Sequence, residues 1–293
     1  LRPLDILAAV VVAIVWGLSF IAIKYGVEEA PPFLLTALRF AFAAFPLVLF
    51  VKPPAAPWRL VALYGAVIGV GQFGLLFLAV REGMPVGLSS LVIQMQVYFT
   101  ILFAALALGE RPTRAQLLGA GLALAGMGVI ASARWAHASL GPLALTLGAA
   151  ACWGAGNVVG KRMGRVDALA FVAWSSLVAP APMLALSLAT EPRATLAALG
   201  HPSLKLGLSV ATLSYGASLF CYGTWVRLLA KYPAAAVAPF ALLVPVAGMI
   251  SAALLFGERA SASELLGAAL VMIGLGVNVI GGRLVAKAQR RAA

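Results

Sequence analysis

The chain predicts an all-α membrane protein, with ten transmembrane helices in two inverted five-helix repeats. Three observations carry that expectation. First, 63% of the 293 residues are hydrophobic and only 10% are charged, where soluble domains run near half and a quarter. Second, the apolar residues gather into stretches of about 20, the length that crosses ~30 Å of hydrocarbon. Third, residues of the first half recur in order in the second, the mark of an internal repeat.

Proline and charge punctuate the expected spans. The first, about 4–23, ends at Lys24; its apolar run is too long for a signal peptide. The second, about 33–51, lies between Pro31-Pro32 and Lys52-Pro53-Pro54. The third, about 60–80, stops at Arg81-Glu82-Gly83. The fourth, about 86–108, stops at Gly109-Glu110-Arg111-Pro112, and the fifth runs over about 114–133. The sixth, about 140–160, ends at Lys161, and the seventh, about 167–189, ends at Glu191-Pro192-Arg193. The eighth covers about 204–228. The ninth, about 234–256, stops at Gly257-Glu258-Arg259, and the tenth, about 262–282, stops at Gly281-Gly282. A basic tail, Arg283 to Arg291, follows.

Of the 21 Lys and Arg residues, 14 fall in one alternate set of loops and 6 in the other, with Arg39 inside a span. That bias expects both termini in the cytoplasm. The net charge of +12 does not speak for nucleic acid, because the basic residues sit in short loops and a tail that suit lipid headgroups. Cys152 and Cys221 lie in apolar segments without metal-ligand spacing, and His137 and His201 fall in loops.

The repeat sets the domain organisation. Trp16-Gly17 with Lys24 matches Trp153-Gly154 with Lys161, an offset of 137. Leu108-Gly109-Glu110-Arg111 matches Phe256-Gly257-Glu258-Arg259, an offset of 148. At the same offset Leu117-Leu118-Gly119-Ala120 matches Leu265-Leu266-Gly267-Ala268, and Gly126 and Gly128 match Gly274 and Gly276. The halves are 1–135 and 136–293, within one membrane domain. About 11 extra residues belong to the second half, around Glu191 to Lys205. Five spans per half is odd, so the second half enters from the opposite face. Inverted repeats of this kind place a transport site at their interface near the midplane.

Trp-Gly near the end of the first helix of each half, Ala-Leu-Gly-Glu-Arg-Pro (Ala107 to Pro112) and Phe-Gly-Glu-Arg (Phe256 to Arg259) resemble the EamA-type branch of the drug/metabolite transporter superfamily. The resemblance covers nearly the whole chain. Within that branch the chain is similar to YddG-type exporters of aromatic and other neutral amino acids. The resemblance implies a bacterial inner-membrane exporter with a central cavity lined by helices 1, 3, 4, 6, 8 and 9 of the ten.

Polar residues inside a membrane are costly and tend to face a cavity or another helix. Ser90, Gln94 and Tyr98 are four apart on the fourth span. Trp153 and Asn157 are four apart on the sixth, and Tyr215, Ser218 and Tyr222 follow helical spacing on the eighth. Trp16 and Ser19 on the first span, and Gln72 on the third, join them as candidate substrate-path residues. Amides and hydroxyls with aromatic walls suit a zwitterion carrying an apolar tail. The blander reading of each is a bond to a neighbouring helix or a place in the interfacial belt.

Lys24 and Lys161 read as snorkelling or dipole-pairing helix ends. Arg39 either snorkels or makes a buried structural bond. The two Glu-Arg pairs read as helix-end structure, with gating as the sharper alternative. Gly65-x-x-x-Gly69 and Gly156-x-x-x-Gly160 let helices approach closely. Gly69 to Gly74 fits GxGxxG but lies mid-span without a strand before it, so it is no nucleotide site. Pro85, Pro180, Pro182, Pro239 and Pro245 can kink helices. Pro239 and Pro245 bracket a candidate gating stretch of the ninth span.

No Asp or Glu lies mid-span. A proton-coupled antiporter wants a membrane carboxylate, so a facilitator or uniporter is expected. No GxSxG elbow or Walker loop occurs, so neither an enzyme nor a cofactor is expected. The partners expected are a small molecule, foremost an amino acid, and membrane lipid. Ten spans suffice to enclose a cavity in a monomer. The rivals are export of drugs, nucleosides or other metabolites, a lipid flippase, and a non-transporting chaperone or sensor.

Overall fold

The computed structural model describes residues 1–84, 86–132, 139–164, 166–248, 262–263, 265–274 and 276–277. Pro85, Arg134, His137, Arg165, Gly257-Glu258-Arg259, Glu264, Gly281-Gly282 and the basic tail lie outside the described residues. So does the side chain of Lys24.

Among the described residues the structure is helical throughout and holds no strand. Seven helices among the described residues are long and apolar enough to cross a membrane: α1 (Pro3–Glu29), α2 (Pro32–Phe50), α3 (Trp58–Ala79), α4 (Ser89–Leu108), α6 (Leu140–Arg162), α7 (Ala168–Thr190) and α9 (Leu204–Lys231). Between them come α5 (Arg114–Ser132) and a short α8 (Pro192–Gly200). Two shorter apolar helices close the described chain, α10 (Ala234–Gly248) and α11 (Leu265–Gly274). The eighth expected span is α9, and α10 and α11 fall within the ninth and tenth. α8 occupies the stretch where the second half carries its extra residues.

Hydrocarbon satisfies no backbone group, so helix ends must be closed by the protein or by water. Pro3, Pro32 and Pro192 stand in the first turns of α1, α2 and α8, where no N–H is needed. The Asp167 carboxylate accepts from the N–H groups of Leu169 and Ala170 at the start of α7, and the Ser203 hydroxyl accepts from Leu206 N–H in α9. Gly109 ends α4 with φ of 66°, a left-handed residue that glycine adopts without a Cβ clash.

The long helices are not uniform. α3 is π-helical over Ala66–Gln72 and α9 over Thr212–Tyr222. α4 tightens to 3₁₀ geometry over Ile93–Met95 and α10 over Ala238–Leu242. α3 and α9 are the third long helices of the two halves, and α4 and α10 the fourth. The same departures from α geometry therefore recur at corresponding places, which the residue matches alone did not reveal.

The packing recurs as well. A Cβ added at Gly126 of α5 would meet the Gly267 carbonyl oxygen at 2.6 Å and the Val271 nitrogen at 2.9 Å. A Cβ at Gly274 of α11 would meet the Gly119 carbonyl oxygen at 2.5 Å and the Ala123 nitrogen at 2.6 Å. Residues 119, 123 and 126 are the repeat counterparts of 267, 271 and 274, so the contact is reciprocal. α5 and α11 run antiparallel through it, because 119 meets 274 while 126 meets 267. Two equivalent antiparallel helices that touch through the same residues are related by a two-fold axis perpendicular to them. In the same way Gly17 of α1 seats on Val244, Ala247 and Gly248 of α10, while its counterpart Gly154 of α6 seats on Phe99 and Thr100 of α4. First helix on ninth and sixth on fourth is one contact made twice.

Gly126→Leu and Gly274→Leu are expected to destabilise the protein by similar amounts, about 1–3 kcal/mol each, as overpacked sites do. Gly128→Leu, where an added Cβ meets nothing within 4 Å, is the control. Thermal unfolding in detergent reads all three; unequal losses at Gly126 and Gly274 would contradict the reciprocal seam.

Candidate functional site

At the centre, Trp16 of α1 and Trp153 of α6 meet edge to face with ring centroids 5.3 Å apart. Trp16 also lies 5.2 Å from both Tyr222 and Trp225 of α9. These are favourable offset geometries for aromatic pairs. The Trp16 indole N–H donates to the Ala217 carbonyl at 3.0 Å, within the π-helical part of α9. Ser19, one turn on, donates to the Trp16 carbonyl at 2.7 Å.

Beside this cluster lies a half-open cavity with about 40 Å³ of free space, room for a few waters at about 10–15 Å³ each. Its walls are Trp16, Ser19, Phe20 and Ile23 from α1, Arg39 from α2, Gln72, Phe73 and Leu76 from α3, Ile93 and Gln94 from α4, Trp153 from α6, Tyr222 from α9 and Val244 from α10. A wider opening between α3 and α6, about 510 Å³, is lined by apolar side chains and Glu82. It opens at the apolar surface and gathers little chemistry.

The sequence expectations divide at this cavity. Trp16, Ser19, Gln72, Gln94, Trp153 and Tyr222 line it. Ser218 sits behind the wall, where its hydroxyl accepts from Arg39 Nε at 2.8 Å. Asn157 does not line it. Its amide donates to Gln96 Oε1 at 3.0 Å and Thr100 Oγ1 at 2.9 Å, and its oxygen accepts from the Trp225 indole at 3.0 Å. Tyr98 is turned to α5, where its hydroxyl donates to the Ala120 carbonyl at 2.6 Å. Ser90, whose carbonyl accepts from Gln94 Nε2 at 3.3 Å, is also off the wall.

Tyr215 is 45% exposed and faces outward. Its expected face assumed α-helical spacing. Seven residues, from 215 to 222, make about two α-turns but little more than about one and a half wider π-turns. The π-helical Thr212–Tyr222 segment thereby swings Tyr215 to the opposite side while keeping Ser218 near Tyr222. Of the candidate gating prolines, Pro239 lies in the 3₁₀ stretch of α10 and Pro245 in the helix beyond it.

Arg39 was read from sequence as a snorkelling or structural residue, and it does not snorkel. It is 3% exposed, its guanidinium lies 4.1 Å from the Phe73 ring centroid, and its own carbonyl accepts from Ser214 at 2.9 Å. Among the described residues no carboxylate pairs with it. Its signal in the sequence was its isolation: one cation inside an apolar span.

Away from the cavity, one end of the bundle is tied by charge. Glu110 accepts from Ala234 N–H at 2.9 Å, closing the N-terminus of α10, and pairs with Lys161 at 2.9 Å. Lys161 donates also to the Leu229 and Tyr232 carbonyls at the end of α9, so it pairs with a helix terminus rather than headgroups. Asp5 accepts from Lys231 and from the Tyr232 hydroxyl, both at 2.6 Å. At the other end Lys205 pairs with Glu28 at 2.5 Å and Arg81 with Glu191 at 3.0 Å.

A profile described as the EamA-like transporter family matches residues 4–132 and 140–280. Two proteins named "Probable amino-acid metabolite efflux pump", from Salmonella typhimurium and Escherichia coli K12, are each 41% identical over 94% of this chain and 95% of their own length. A "Probable terminal-alkyne amino-acid exporter" of Streptantibioticus cattleyicolor is 28% identical over 92% of this chain and 91% of its own. A crystal structure superposes with a TM-score of 0.82 at 23% identity, covering 97% of this chain and 99% of that one; it speaks for the fold.

Buried polar groups off the cavity wall serve stability. Asn157→Leu is expected to lower stability by about 1–3 kcal/mol, because it strands the buried Trp225 indole N–H and removes the donor that Gln96 Oε1 and Thr100 Oγ1 share. Tyr215→Leu at the exposed face is expected to stay within about 0.5 kcal/mol. Thermal unfolding of the two variants side by side checks the contrast.

Proposed function

The chain belongs to the EamA-like transporter family, and from that premise we propose that it exports aromatic and other neutral amino acids across a bacterial inner membrane. The route is alternating access between two inverted five-helix halves, 1–135 and 136–293, with both termini in the cytoplasm. The observation that carries the proposal is the central cavity, where equivalent tryptophans of the two halves meet beside buried amide, hydroxyl and guanidinium groups. Polar groups replace the hydration of an amino-acid head, and rings pack its tail. The efflux-pump and exporter names of the relatives support the same substrate class.

The reciprocal seam of α5 and α11 supports the inversion, since its two-fold axis lies in the membrane plane if both helices cross. The Lys161–Glu110 pair and its bonds to the ends of α9 and α10 act as the cytoplasmic closure. The cavity is too small for an amino acid, so the walls must part before substrate is held. Cavity-lining residues include no carboxylate, which supports a facilitator running down the substrate gradient.

Liposomes holding only the purified protein test this. Saturable flux of labelled neutral amino acids, unchanged by an imposed proton gradient, is the expected result. Proton movement that tracks substrate would overturn the facilitator. An absence of flux with every amino acid would overturn the substrate assignment and turn the screen to drugs, nucleosides and labelled lipid.

A further inference from the structure

Three side chains on the cavity wall hold unmet polar capacity. Arg39 carries a full positive charge at 3% exposure with no carboxylate partner among the described residues. Its Nε donates to Ser218 and its Cζ lies over the Phe73 ring, which holds the fork and leaves the terminal amino groups for another partner. The Trp153 indole N–H is buried without a hydrogen-bond partner, and so is the Gln94 side-chain oxygen. The repeat counterpart of Trp153 is Trp16, whose N–H does find a carbonyl.

Buried polar groups are nearly always paired, and a lone buried charge is costly. A positive charge, a donor and an acceptor left open around one cavity describe the chemical complement of a ligand. The first two call for an anion with planar oxygen acceptors, and the third calls for a donor on the same molecule. We propose that Arg39 and Trp153 bind the substrate carboxylate, with Gln94 accepting from its ammonium group. Arginine suits this role because its fork matches a carboxylate with two parallel hydrogen bonds. Ser218 and Phe73 position the guanidinium. This assignment rests on the amino-acid reading above, and it narrows it: the free carboxylate is what the site selects. A neutral drug, a nucleoside or a phosphate-free lipid tail offers no such group.

The experiment is competition against labelled amino-acid uptake in the same liposomes, with the free amino acid, its methyl ester, its decarboxylated amine and its N-acetyl derivative. In the wild-type protein the ester and the amine are expected to compete roughly ten- to a hundredfold more weakly than the acid, the span of one charged hydrogen bond. Arg39→Gln is expected to raise the KM by a similar factor and to erase the preference for acid over ester. Arg39→Lys, which keeps the charge without the fork, is expected to restore part of that preference. Equal competition by acid and ester in the wild type would overturn the proposal, as would an acid-over-ester ratio that Arg39→Gln leaves intact. If Arg39→Gln fails to fold in detergent, the wild-type ratio decides alone. A wild-type protein that moves no amino acid overturns the amino-acid reading by itself. Thermal shift by aliphatic and aromatic monocarboxylates against their amides then tests the arginine separately, and no preference for the acid would overturn it too.

Discussion

Hydrocarbon offers no hydrogen-bond partner, and the arrangement of this protein follows from that constraint. A buried polar atom is stabilised by a partner inside the chain or by an enclosed space that a ligand or water can enter; of the four unpartnered buried side-chain atoms among the described residues, those of Gln94 and Trp153 belong to the cavity, those of Ser89 and Gln96 do not. Asn157 shows the first solution. It links α4, α6 and α9 by bonding Gln96, Thr100 and Trp225 at once. Arg39, Gln94 and Trp153 show the second, lining one cavity from α2, α4 and α6. Asn157 and Gln94, similar in type, thus differ in whether the side chain's capacity is met within the chain.

Glycine and helix irregularity let that division occur. Close backbone approach at Gly17, Gly126, Gly154 and Gly274 gives the helices contact without large side chains, which suits a medium where apolar burial alone drives no association. The π-helical turns of α3 and α9 place Gln72 and Tyr222 at the cavity, with Tyr222 donating to the Gln72 oxygen at 3.3 Å. The motif residues act at a distance from this centre. Gly109 turns the chain so that Glu110 can close the start of α10 and hold Lys161.

Seven of the ten expected spans stand among the described residues as helices long and apolar enough to cross a membrane, because apolar length is written locally. Trp16, Ser19, Gln72, Gln94, Trp153 and Tyr222, substrate-path candidates by type and spacing, line the cavity. Tyr215 was not legible, because its face depends on a π-helical register that α spacing conceals. Asn157 and Tyr98 could not be sorted from Gln94 by type or spacing. Only their partners on other helices distinguish them, and those partners lie 57 to 68 residues away for Asn157 and 22 for Tyr98. Arg39 was visible as an anomaly but not as a wall residue, because what pairs with it is decided by three-dimensional neighbours.

Trp16 and Trp153 occupy equivalent places, yet only Trp16 has its N–H bonded to a neighbouring helix. The pseudo-symmetry is broken at one hydrogen bond. A conformer in which Trp153 bonds α3 and Trp16 is released would hold the same number of such bonds. The free-energy gap between the two conformers is then a difference between near-equal quantities, rather than the worth of a whole bond. Gaps of that size are ones that modest differential binding can tip.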